Sequence, residues 1–189
     1  MKVLKTIKTL KRWSAILLVL YIFLPTLVVA QSYYAENGTV NFTSSVPLYE
    51  FTGTSNQLTG RINLADSTVD FYVDLETLDS GIKKRDKDMR LTLETSKYPF
   101  AEFYGKLLDP VDLATTNSQS VSTLGLFSVH GVSKELEVEG EITVKKSTLH
   151  LQAKWEIRLE DFDIVPPSLL IVKVDQVQKV SIDIYLQKQ

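Results

Sequence analysis

From Glu135 to Glu160 the chain alternates, with hardly a break, between polar and apolar side chains. Leu136, Val138, Gly140, Ile142 and Val144 sit at every second position, separated by Glu137, Glu139, Glu141 and Thr143. Leu149, Leu151, Ala153, Trp155, Ile157 and Leu159 repeat the pattern against His150, Gln152, Lys154, Glu156, Arg158 and Glu160. A period of two is that of a β-strand, and it gathers the apolar side chains on one face of a sheet. Two such runs joined by the polar stretch Lys145 to Thr148 predict a long antiparallel hairpin. The four glutamates Glu135, Glu137, Glu139 and Glu141 must then form an outer wall, because burying four carboxylates together is prohibitive.

The same period recurs at Val69, Phe71, Val73 and Leu75, at Ala101, Phe103, Gly105 and Leu107, and at Val180, Ile182, Ile184 and Leu186. Gly38 to Val46, with Val40, Phe42 and Ser44 on one face, reads as a first strand interrupted by Pro47 and resumed around Tyr49 and Phe51. Gly53 to Gly60 (GTSNQLTG) has turn composition and predicts a hairpin end, after which Ile62 and Leu64 open another strand, broken at Asp66-Ser67. Asp109-Pro110 starts a polar connection that includes Thr115 to Ser120. Val121 to Val129 is strand-like, and His130-Gly131 makes a turn. Phe162 to Leu170 cannot be a central strand, since Pro166-Pro167 offer no amide donors.

Eight or so strands with one apolar face need that face covered. A closed antiparallel barrel covers it and removes the sheet edges. Eight strands leave an interior just wide enough to be packed by side chains or to hold one small ligand. A two-sheet sandwich satisfies the same periodicity.

One segment breaks the rhythm. Leu78 to Phe103 (LDSGIKKRDKDMRLTLETSKYPFAEF) crowds Lys83, Lys84, Arg85, Asp86, Lys87, Asp88 and Arg90 together, then places Met89 and Leu93 four apart, a helical spacing. Tyr98-Pro99 ends it, because proline holds the preceding residue extended. The expectation is a short amphipathic helix that turns Met89 and Leu93 to the apolar interior and leaves its lysines in water. Arg85-Asp86 is a tempting polar anchor for a ligand head group. The plainer alternative is that Asp86 caps the helix and Arg85 pairs locally.

Residues 1–30 read as a secretory signal peptide: Lys2, Lys5, Lys8, Lys11 and Arg12, then the apolar run Ala15 to Leu24, then Val28-Val29-Ala30 before a cut ahead of Gln31. An uncleaved membrane anchor is disfavoured by Pro25 and by the short apolar run. The remaining 159 residues, 31–189, suit one domain with a core large enough to need no staple. They hold 16 basic against 23 acidic residues, a net charge of −7, and show no basic stripe. Nucleic acid and anionic head groups are therefore poor partners on composition alone, and no later segment is long and apolar enough to span a bilayer as a helix. The absence of cysteine excludes thiol catalysis, disulfides and thiolate metal sites. His130 and His150 are the only imidazoles and lack further His or Cys to complete a typical zinc site, so both are read as structural. No phosphate loop, nucleophile elbow or defined carboxylate pair is visible, and no cofactor is implied.

SGIKKRD (Ser80 to Asp86), KYPFAEF (Lys97 to Phe103), GLFSVHGVSKELEV (Gly125 to Val138) and LEDFDIVPPSLL (Leu159 to Leu170) occur in the order and spacing of a known group. With the closing strand, they make the chain resemble the YceI-like family, the lipid- or polyisoprenoid-binding exported domains, over essentially all of residues 31–189. The resemblance implies an all-β, extended, antiparallel, eight-stranded lipocalin-like barrel with short helical segments at its mouth. It implies an apolar interior holding a long isoprenoid or other lipid, and a bacterial envelope location, usually periplasmic. Leu159-Glu160-Asp161-Phe162 departs from the family's Arg-Ser-Asp-Phe-like stretch, which weakens transfer of contacts there. Some members pair as homodimers; no interface signal is legible here. The family supplies no agreed catalytic residues.

Lipid binding needs no special chemistry, since each buried methylene is worth about 0.8 kcal/mol before association costs are subtracted. The candidate lipid contacts are the large inward residues Phe71, Val73, Phe103, Phe127, Val138, Trp155 and Ile157, with Met89, Leu93 and Phe162 as lid contributors. Two other classes remain to be set against a carrier. A small integral outer-membrane barrel shares the alternation but turns its apolar face outward; the chain shows no aromatic girdles and ends in Gln-Lys-Gln. An enzyme acting on a lipid-like substrate has only the expected pocket in its favour.

Overall fold

The computed structural model describes residues 31–46, 49–166, 168–169 and 172–189. The signal-peptide reading of residues 1–30, the break at Pro47, and Pro167 and Leu170 lie outside the described residues. Eight long strands close into one barrel: β1 (Ser32–Val46), β2 (Tyr49–Asn63), β3 (Thr68–Asp74), β4 (Phe100–Leu107), β5 (Ser118–Val129), β6 (Val132–Lys145), β7 (Thr148–Arg158) and β10 (Val177–Lys188). Their spatial order is β1-β10-β7-β6-β5-β4-β3-β2, and every pairing is antiparallel. A two-residue pair, β8 (Ser168–Leu169) with β9 (Val172–Lys173), stands apart from the barrel sheet. The barrel settles the choice against a sandwich.

The alternation does what its period requires. Val69, Phe71, Val73, Phe103, Val138, Ile142, Leu149 and Leu151 are buried inside, while Glu135, Glu137, Glu139 and Glu141 are exposed on the outer wall. His130 and Gly131 turn β5 into β6 with φ of 55° and 77°, the positive values that a tight hairpin of matching twist requires.

Three readings of the chain need correction. Gly53 to Gly60 is no hairpin end; it lies in the middle of β2, a continuous strand into which Ile62 also falls. The small residues there make room for aromatic rings. A Cβ on Gly53 would lie 2.1 Å from Phe42 Cε1, and one on Gly60 would lie 2.3 Å from Phe71 Cε1. The first strand begins at Ser32 rather than Gly38, its register shifting between Ala35 and Val40. Ser118 to Ser120, expected in the polar connection, already pair with β6.

Between β3 and β4 the chain leaves the sheet through a 3-10 turn (Leu75–Thr77), an isolated bridge from Asp79 to Thr54, and the helix α1 (Lys83–Thr92). Between β7 and β10 it makes a second 3-10 turn (Leu159–Phe162), and the described residues 163–166, 168–169 and 172–176 that follow are called the strap. Both excursions leave from the same end of the barrel, since Asp74 pairs with Phe100 and Arg158 with Val177. The β5–β6 turn and the tip at which Val46 pairs with Tyr49 are at that end too. It is the mouth. The opposite half is solid: Ile62, Val69, Ile142, Leu149, Ile184 and Leu186 are all at most 2 % exposed.

Candidate functional site

Above that packed half the barrel is hollow. Its cavity measures about 410 Å³, within the range of small-molecule sites. Ile62, Val69 and Ile142 form its floor, and the wall is almost wholly apolar. The structure brings together Phe71 and Val73 from β3, Phe103 from β4, Phe127 from β5, Val138 from β6, and Trp155 and Ile157 from β7. Met89 and Leu93 close it from above, the first inside α1 and the second at its C-cap.

Phe162 does not join them. Only 1 % exposed, it packs edge-on against Phe127 with ring centres 5.5 Å apart, and supports the wall from behind. Its carbonyl oxygen lies 3.0 Å from His130 Nδ1. The lining also takes in Val40, Phe42, Phe51, Val180 and Ile182, which the candidate set omitted. Val40, Phe42, Val180 and Ile182 follow the inward alternation and were legible by the rule that found the others. Phe51 was hidden by the turn-like composition that follows it.

Arg85 and Asp86 part company. Arg85 lies at the entrance with its guanidinium carbon 4.4 Å from the centre of the Phe51 ring, a cation–π contact between α1 and β2. Asp86, 7 % exposed, points back along the chain and accepts hydrogen bonds from the Ser80 amide (2.9 Å) and hydroxyl (2.6 Å). These bonds, the hydroxyl's first, hold its carboxyl below the ordinary carboxylate range, against the opposing pull of burial. Asp86 is neither the N-cap, a position taken by Ile82 without a side-chain bond, nor in an ion pair with Arg85 among the described residues. Its carboxylate instead ties the first turn of α1 to the segment before it. It does not line the cavity.

Among the polar side chains of the lining, three stand on the neighbouring strands β1, β10 and β7. Ser44 and Gln178 face each other across the β1–β10 pair, and Trp155 lies one inward position further along on β7. The Ser44 hydroxyl and the Trp155 indole N–H are buried without a hydrogen-bond partner among the described residues, whereas Gln178 Nε2 donates to the Asp175 carbonyl at 2.7 Å. Unpaired groups in such a wall carry a desolvation cost that an acceptor oxygen on a bound molecule would relieve.

Neither histidine faces the cavity. His130 braces the mouth, lying edge-on to Tyr98 with its Nε2 3.7 Å from Glu94. His150 stacks on Tyr185 with ring centres 4.0 Å apart, and its Nε2 lies 3.0 Å from Asp183 Oδ1 on the outer wall. Among the described residues no three His, Cys, Asp or Glu side chains gather as a metal site, and no helix is long and apolar enough to cross a membrane.

A closed eight-stranded barrel, solid at one end and holding an apolar cavity at the other, defines a lipocalin-like binding fold. Residues 33–187 match the model of the YceI-like domain, and the chain belongs to that family. It is similar to a polyisoprenoid binding domain from Saccharophagus degradans implicated in plant cell wall breakdown. The two share 18 % identity with a TM-score of 0.71, covering 85 % of this chain and 99 % of that one. BcnA of Burkholderia cenocepacia is similar at 13 % identity and a TM-score of 0.64, covering 79 % and 94 %. The YCEI protein of Campylobacter jejuni follows at 14 % and 0.53, covering 78 % and 81 %. No curated protein matches the sequence.

Proposed function

We propose that this protein is an exported, periplasmic carrier or sequestering protein of the bacterial envelope. It holds one long-chain apolar lipid, of isoprenoid or fatty-acyl type, in the upper half of its barrel and performs no chemistry on it. The observation that carries this function is the cavity itself: about 410 Å³, almost wholly apolar, floored by packed side chains and covered by α1. A hydrocarbon chain is recognised there by burial alone, with orientation left to the few polar groups near the mouth. The similar Saccharophagus degradans domain, itself described as polyisoprenoid binding, supports an isoprenoid over other chains. The basic leader-like stretch of residues 1–30 supports export.

An integral outer-membrane barrel needs the opposite arrangement, with apolar residues outside. The outward rows here carry Glu135, Glu137, Glu139, Glu141, Lys154 and Glu156, which speaks for an aqueous surround.

Mass spectrometry of organic extracts, from protein purified out of its native envelope, tests the function. A stoichiometric isoprenoid or acyl lipid is expected. Protein that emerges empty and takes up no lipid on incubation rules the carrier out.

A further inference from the structure

Three large apolar side chains exposed to water stand at the mouth end of the barrel, on three separate elements. Tyr49, at the start of β2, lines the cavity yet is 56 % exposed. Val165, in the strap, is 82 % exposed although its neighbours Ile164 and Pro166 both line the cavity. On α1, Leu91 is 68 % exposed and shares a helical row with Lys84 and Lys87, while Met89 turns inward. No core requires these three outside. They are separated in sequence and lie on elements at the mouth end of the barrel.

The helix side of that rim carries positive charge, while the strap side holds the exposed acids Glu160, Asp161 and Asp163. Lys83, Lys84, Arg85, Lys87 and Arg90 all lie within the ten residues of α1. Of the two acids there, Asp86 is buried and bonded to Ser80, and Asp88 is engaged by Lys84 at 2.9 Å. Lys83, Arg85 and Lys87 make no ion pair among the described residues. In a domain of net charge −7 this is a local reversal, legible only once α1 is seen at the mouth. Apolar residues flanked by lysines suit one kind of surface, the interface of a bilayer that contains anionic lipid.

Resting on the carrier function above, we infer that the tunnel mouth docks on an anionic lipid bilayer, with Tyr49, Leu91 and Val165 entering the interface and Lys83, Lys84 and Lys87 contacting head groups. The entrance then opens directly onto the acyl layer, so a lipid passes between bilayer and tunnel without crossing water. The outer wall offers a rival apolar patch, where Tyr104 and Leu126, both about half exposed, pair on β4 and β5, and Tyr72, Phe100 and Leu124 are exposed on β3, β4 and β5. It lies beside the glutamates of β6, where Leu126 pairs with Glu135, and suits an anionic surface poorly.

Co-sedimentation of the purified protein with phosphatidylcholine vesicles, with and without phosphatidylglycerol, tests the docking, with bound lipid measured by mass spectrometry on the same preparation. Binding is expected to vesicles containing phosphatidylglycerol and to weaken as salt is raised. Leu91→Asp or Val165→Asp should weaken it by about tenfold each, and Lys83→Ala or Lys87→Ala by about fivefold each. Leu126→Asp should leave it unchanged. Equal loss from Leu126→Asp and Leu91→Asp, equal binding to both vesicle types, or no vesicle binding by protein that carries lipid would each overturn docking and leave the carrier function standing. Vesicle binding by protein that carries no lipid leaves the docking surface and removes the carrier.

Discussion

The Arg85 guanidinium carbon lies over the Phe51 ring, 4.4 Å from its centre, and is thereby the clasp between the covering helix and the β1–β2 pair. A charged side chain at the edge of an apolar cavity is ordinarily a liability. Here it binds an aromatic face while its charge stays at the entrance.

Removing that clasp should loosen the cover without unfolding the barrel. Arg85→Ala is expected to speed lipid release several-fold, in line with the roughly 0.5–2 kcal/mol of a cation–π contact. Arg85→Lys should be intermediate, keeping the charge but losing the guanidinium's broader contact with the ring. Transfer of a fluorescent lipid to acceptor vesicles measures the rate. An unchanged rate in Arg85→Ala would remove the clasp.

The helix should cover by its apolar side rather than its charged one. Met89→Asp or Leu93→Asp is expected to weaken lipid retention by at least tenfold, since a carboxylate there faces the cavity. Lys84→Ala and Lys87→Ala should leave retention of already loaded lipid close to the parent's. Retention after gel filtration checks this, and equal effects from all four would sink the lid.

The two small residues of β2 under aromatic rings should resist enlargement. Gly53→Ala and Gly60→Ala each force a ring to move, with Cβ contacts of 2.1 and 2.3 Å to Phe42 and Phe71. A loss of about 1–3 kcal/mol is expected for each, the usual range for overpacking. Both rings line the cavity, so lipid capacity should fall too. Chemical denaturation with and without lipid separates the two effects; an unaltered midpoint would refute the steric account.

Asp86 gives a pH dependence of definite sign. Its folded-state pKa is lowered, chiefly by the Ser80 hydroxyl, so the ionised carboxylate contributes stability that is fully present above the unfolded value of about 3.9. That contribution is lost as pH falls below about 4 and through the lower folded value. Asp86→Asn should therefore flatten the acid limb of the stability curve while lowering the plateau near neutrality. Melting temperature against pH measures it, and parallel curves would place the acid limb elsewhere.

Much of this architecture was legible in the chain because alternation and burial are the same fact seen twice. β3, β6, β7 and β10 had to turn Phe71, Val138, Trp155 and Ile182 inward once a barrel closed around them. The failures have a common physical origin: composition reports what a residue tolerates, and neighbours decide what it does. Gly53, Thr54, Ser55 and Asn56 tolerate a turn, yet β1 pairs with this stretch and Phe42 needs the space over Gly53. Asp86 had the look of a helix cap, but Ser80 offered two donors within reach. Phe162 was apolar and near the mouth, and nothing in sequence told a lining ring from one packed behind Phe127.

The floor at Ile62, Val69 and Ile142 gives one barrel two barriers. In the packed half, the fully buried Leu149, Ile184 and Leu186 should expose their amides only when the whole chain unfolds. Above it, the helix and strap are bounded by water on one side and by the cavity on the other, so they open at much lower cost. A bound chain can exchange through local opening while the sheet below remains intact, and hydrogen exchange should show slow amides in the lower β7 and β10 beside faster ones in α1. Residence time and protein lifetime are thereby uncoupled, and a mutation at the mouth can retune how long a lipid stays without changing how long the protein lasts.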